Sequence, residues 1–217
     1  SDGDLTVAII SDGTTIADAG AFSVNLGSMV HIKSITAAPG GGSDVANMTF
    51  IHGTSSVVFN NTYPIYIVKL INVMSSSGQN FQLNVTTDGS NFNVVGTNST
   101  FGFEHSEDDG TARSFYAVGY DSENDPDHYI FNHNKGGLRD ASDAGASGEI
   151  IFFNPSNTTF QKHYIARINS MSEYPGSTDN FTSGIFHTSS AITGFRINSI
   201  NSNNMHGKIK LYGLADS

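Results

Sequence analysis

The chain has no cysteine, no tryptophan and only 5 prolines among its 217 residues. Without cysteine there are no disulfides, no thiolate metal sites and no cysteine nucleophile. Without tryptophan, a sugar-binding site would lack its strongest stacking residue. Positive charge is also scarce: 10 Lys and Arg against 20 Asp and Glu, for a net charge of -10. The basic residues are scattered, which argues against a nucleic-acid or anionic-membrane surface. Long apolar runs are missing as well. The longest, Ile65–Ile71, contains Lys69 and is too short to cross a bilayer. The start, Ser1-Asp2-Gly3-Asp4, lacks the basic residues that open a signal peptide. No Gly-x-Ser-x-Gly elbow, phosphate loop or dinucleotide fingerprint occurs, so the sequence is read as non-enzymatic and without a cofactor.

What fills the chain is small and polar: 28 Ser, 21 Asn and 23 Gly. With these come 15 Phe and 8 Tyr, enough aromatic surface for a core rather than disorder. Ile and Val total 31 against 7 Leu, a bias toward strands. The apolar pattern has period two: Phe81, Leu83 and Val85 alternate with polar residues, as do Ile209 and Leu211. Turn signals such as Thr87-Asp88-Gly89 and Asn154-Pro155-Ser156 separate these runs. No twelve-residue stretch keeps a helical stripe, and the best helix candidate is Leu138–Ala144. The pattern predicts an all-β, antiparallel β-sandwich of jelly-roll type. Residues 1–62 read as an N-terminal β segment on or within the same domain, and 63–217 as the sandwich. The expected core is Phe81, Leu83, Val85, Ile150, Phe152, Ile165, Ile197, Ile209 and Leu211. Ile65–Met74 and Ile150–Phe153 are apolar on both faces, which suits central strands or strands facing a partner subunit.

The stretch Glu104–Gly148 gathers ten of the twenty acids, has strand-like islands at Ser114–Val118 and Tyr129–Phe131, and is expected to be displayed as long loops. Within it Asp121, Glu123, Asp125 and Asp127 place carboxylates at alternate positions, a candidate site for a hard cation. Pro126 stands where a calcium loop needs its turn glycine, so a solvated acidic loop is the plainer reading. The eight histidines show no helical zinc spacing.

The C-terminal string Ile192-Thr-Gly-Phe195-Arg-Ile-Asn-Ser-Ile200, followed by Gly207-Lys-Ile-Lys-Leu-Tyr212-Gly213-Leu, resembles the closing hairpin of β-rich structural proteins of tailed bacteriophages. Tyr63–Val73, Gln82–Phe92 and Ser147–Pro155 are similar to earlier strands of that family, in the same order. The resemblance implies a virion component, assembled in the bacterial cytoplasm and bound to other capsid or tail proteins. It is expected to be a capsid decoration protein on the particle surface. The alternative is a tail-fibre or receptor-binding module recognising a host glycan or protein. A homo-oligomer, by analogy a trimer, is expected, with no nucleic acid or membrane as partner. Gly213 is expected to let the last strand stop against a neighbouring backbone.

Overall fold

The computed structural model describes residues 9–11, 14–18, 21–22, 29–38, 45–75, 78–131, 138, 144–171, 176–200 and 205–215. Among them the chain forms sixteen strands and one short 3-10 turn, Val118–Tyr120. The strands are β1 (Ile9–Ser11), β2 (Thr14–Asp18), β3 (Ala21–Phe22), β4 (Met29–Ala37), β5 (Asn47–Ile51), β6 (Ile65–Ser75), β7 (Phe81–Thr86) and β8 (Gly96–Ser106). They continue with β9 (Ala112–Tyr116), β10 (Glu123–Asp125), β11 (His128–Phe131), β12 (Ala146–Phe153), β13 (Lys162–Met171), β14 (Gly176–Phe186), β15 (Gly194–Ser199) and β16 (Met205–Leu214). Leu138 and Ala144 are buried, and the helix candidate between them lies outside the described residues.

Every pairing is antiparallel. A large sheet runs β10-β8-β14-β13-β12-β6-β16-β4, with β9 also on β8. A small sheet runs β11-β7-β15-β5, and β1, β2 and β3 form a third sheet of their own. Thus β4 and β5, from the first 62 residues, each supply a strand to one of the two main sheets.

The two main sheets pack face to face through their alternate apolar residues. On the large sheet Tyr66, Val68, Leu70, Ile150, Phe152, Ile209 and Leu211 point inward. Phe50, Phe81, Leu83, Val85, Phe195 and Ile197 answer from the small sheet. Phe195 is the hinge of this contact. It stacks on Phe50 at 4.9 Å within its own sheet and meets Phe152 of the other at 5.4 Å. Buried aromatic pairs at such spacings each add about 1 kcal/mol beyond their area.

One expected core residue is not in the core. Ile165 is 45% exposed, because β13 turns Tyr164, Ala166 and Ile168 inward and Ile165 outward. The Tyr164 hydroxyl decides the register: it meets His128 Nδ1 of the small sheet at 2.9 Å, deep in the interior. Gly213 is also corrected. A Cβ there would lie 2.3 Å from the Tyr63 ring rather than against backbone, and the strand continues to Leu214.

β6 carries a bulge that both its neighbours see. Between Leu70 and Val73 it has one residue more than β12, and between Ile71 and Met74 one more than β16. Asn72 takes the left-handed conformation at φ 48°, which Asn tolerates better than most residues. Gly207 faces it at φ 116°, where a Cβ would collide with the Asn72 carbonyl at 2.4 Å. Past the bulge the alternation breaks, so Val73, Met74 and Ser75 are all buried.

His128 is fully buried, stacked on Phe186 at 4.3 Å. Burial pushes its pKa down from 6.5 to about 4, against a smaller opposing pull from the Asp125 backbone. The unfolded chain therefore binds an extra proton between those values, and stability falls as pH drops through that window. The shift corresponds to about 3 kcal/mol. Thermal unfolding of the wild type should show this loss between pH 6.5 and 4. His128→Phe should flatten that part of the profile while losing some stability at neutral pH. An equal pH slope in both proteins would rule out His128 as the source.

Candidate functional site

The acidic stretch is built differently from the loops expected of it. β8 pairs with β14 along its whole length, and β9 folds back on β8 as a hairpin. β11 then enters the small sheet with His128, Ile130 and Phe131 fully buried. Several acids are consumed structurally. Glu104 faces inward and is buried, and Arg113 of β9 donates to its carboxylate from Nε at 2.8 Å. Asp108 closes the β8–β9 turn, accepting from Ser106 Oγ at 2.6 Å and Gly110 N at 3.0 Å. Those hydrogen bonds, Ser106 first, hold its carboxyl below the usual range.

The four candidate cation ligands diverge. Asp121 accepts from Thr100 N at 3.1 Å and from the Tyr116 hydroxyl. Glu123 and Asp125 are exposed on β10, with Asn124 between them at φ 55°. Asp127 accepts from Asn84 Nδ2 of β7 at 2.6 Å. The segment thus ties the edge of the large sheet, through β10 on β8, to the small sheet, through Asp127 on Asn84. Among the described residues no three His, Asp or Glu side chains are grouped to hold a metal. The alternation in sequence does not survive the kink at Asn124 and the turn at Pro126.

At one end of the large sheet lies a groove of about 1470 Å³, lined among others by Ile71, Asn72, His105, Ser147, Asn169 and Lys208. Seven strands contribute, so no local motif could have revealed it. Its central polar groups serve the fold. Ser147 Oγ accepts from Asn72 N at 3.0 Å and steadies the bulge. Asn169 Nδ2 donates to Ser177 Oγ at 2.8 Å.

The outer face of the large sheet is the other feature that single motifs hide. Phe101, Phe103 and Tyr116 are 48%, 54% and 56% exposed on β8 and β9. Phe181 of β14 lies among them, with one ring face against Phe101 at 5.3 Å and the Arg167 guanidinium 5.0 Å from its centroid. Phe103 meets the same ring edge-on at 6.3 Å. Further along, Ile165 and Phe153 are exposed and Ile67 and Ile151 half-buried on the same face. Contiguous exposed apolar residues of this kind are commonly found at interaction surfaces.

No protein-family model, curated protein or solved structure matches this sequence.

Arg113→Ala should lower stability by about 2–3 kcal/mol, since it leaves the buried Glu104 carboxylate without that cation. Glu123→Ser, at an exposed position, should change it by less than about 0.5 kcal/mol. Urea titrations of the two variants against wild type test the contrast.

Proposed function

We propose that this chain is a jelly-roll structural protein of a bacteriophage particle, displayed on the particle surface as a decoration protein and bound to other virion proteins. The observation that carries the reading is the strand order. Take β4, β5, β6, β7, β11, β12, β15 and β16 as eight successive strands. One layer then has the order first-eighth-third-sixth, and the other second-seventh-fourth-fifth. That order supports a jelly roll, the double Greek key used by many viral capsid domains and also by lectins and cupins. Of the other eight strands, β1, β2 and β3 form the separate third sheet and the remaining five are insertions. β8, β9 and β10 fall between the fourth and fifth strands, and β13 and β14 between the sixth and seventh. All five extend one layer past its sixth strand. Fold alone does not give function. The broad outer face created by these insertions favours attachment over catalysis, in line with the phage-like strings of the sequence.

A second reading, a receptor-binding module of the tail, draws on the opposite end of the sandwich from the groove. There the loops 154–161 and 187–193 carry Asn, Ser, Thr and His, with Phe160 at 68% exposure. Lys162, buried at the start of β13, donates to the carbonyls of Phe160, Thr188 and Ser189 and so clamps both loops. Burial lowers its pKa. Held loops with polar tips are suited to recognition.

Copy number separates the readings. Quantitative mass spectrometry of purified particles should find this chain near-stoichiometric with the main shell protein if it decorates the head. A handful of copies per particle would favour the tail module. Its absence from particles would overturn both.

A further inference from the structure

We infer that the outer face of the large sheet is a twofold contact between two copies of this chain, centred on the seam between β12 and β13. The inference rests on the distribution of side chains over that face and not on the virion reading.

The cross-strand pairs at the seam are Ile151 with Ile165, Glu149 with Arg167, and Phe153 with His163. All six side chains point away from the small sheet. Now set a twofold axis in the plane of the contact, parallel to the strands and over this seam. It exchanges β12 with β13, β6 with β14, and β16 with β8. Each seam pair then meets itself reversed. Ile151 lies over the partner's Ile165, and Glu149 over the partner's Arg167, twice each. An apolar pair and an oppositely charged pair are both self-complementary under this operation, as an isologous interface requires.

The match extends outward from the axis. Lys69 and Lys210 stand directly opposite one another on β6 and β16, and Lys69 also pairs with Glu149 of β12 in its own chain. The axis carries them over Phe181 and Phe101 of the partner. Their aliphatic stems can lie across the exposed ring edges while the ammonium ends stay polar. Asp179 sits two residues from Phe181 on the same strand face, about 7 Å along β14. The lysines of β6 and β16 thus lie over the part of the partner's face that holds Asp179, which Arg167 of its own chain already bridges at 2.7 Å. An unrelated partner would not be expected to repeat this pairing about one seam.

The area is sufficient. Six strands at about 4.8 Å spacing and about eight residues at 3.4 Å give roughly 780 Å² per copy. Standard stable interfaces bury about 800 Å² per partner. The contact is twofold, in place of the trimer that analogy with virion surfaces suggests.

Sedimentation at micromolar concentration should give twice the 23.1 kDa chain mass. Ile165→Arg, at an exposed position, should give a monomer with unchanged circular dichroism and melting temperature. A second arm uses the absence of native cysteine. Ile151→Cys protein mixed with Ile165→Cys protein should cross-link with a short bis-maleimide faster than either alone, and far faster than Phe160→Cys protein. A wild-type monomer or trimer overturns the inference. So does a dimer that survives Ile165→Arg, or cross-linking no faster in the mixture than through Phe160→Cys. A wild-type monomer would leave the virion reading standing, because particle copy number is measured separately.

Discussion

A layer eight strands wide faces a layer of four, and the narrow one cannot cover the wide one. At about 4.8 Å per strand the widths are roughly 38 and 19 Å. Where the small sheet sits squarely, over β16, β6 and β12, the inner residues are Ile, Leu, Val, Phe and Tyr. Toward β14 and β8 they become Thr178, Asn180, Thr182, Asn98 and Thr100, still buried. β11 lies over this polar zone and is held by directed bonds. Thr182 Oγ1 donates to the Ile130 carbonyl at 3.3 Å, and Asn98 Nδ2 to that of Tyr129 at 3.3 Å. Thr100 and Thr182 bond to each other at 3.0 Å. A low apolar content and an excess of Asn, Ser and Thr are what such a mismatch requires.

That mismatch also sets what could be read from the sequence. Strands whose inner residues are apolar announce themselves by period two, and Phe81–Val85 and Ile209–Leu211 were legible for that reason, whereas Ile150–Phe153 showed as a run apolar on both faces. β8 and β14 alternate small polar residues with aromatics whose rings face outward, so the usual inside-outside reading inverts. Glu104 and His128 are buried in a stretch that composition marks as loop, because each meets a specific partner, Arg113 across a hairpin and Tyr164 on the facing sheet. Ile165 fails for a related reason: Tyr164 needs the interior to reach His128, and a β-branched neighbour is displaced to the surface.

The acidic segment shows the limit of spacing as evidence. Four carboxylates at alternate positions would share a face only on an unbroken strand. Here a left-handed Asn124 and Pro126 intervene: Asp121 binds Thr100 and Tyr116 and Asp127 binds Asn84, bracing the side of the sandwich, while Glu123 and Asp125 stay exposed. The outer sheet face and the groove were illegible for a different reason, since each assembles from strands scattered across the whole chain.

β16 is the last of the sixteen described strands, yet it lies between β4 and β6, one strand in from the edge of the sheet. Among the described strands it is the sole partner of β4. During synthesis the chain emerges from its N-terminus, so the facing edges of β4 and β6 stay open until β16 leaves the ribosome. Open edges invite pairing with other chains. The Asn72 bulge and the glycine opposite it admit β16 in one alignment, so late closure need not be slow searching among slipped ones. Interrupted translation would therefore release an open-edged chain prone to clumping, rather than a smaller folded protein.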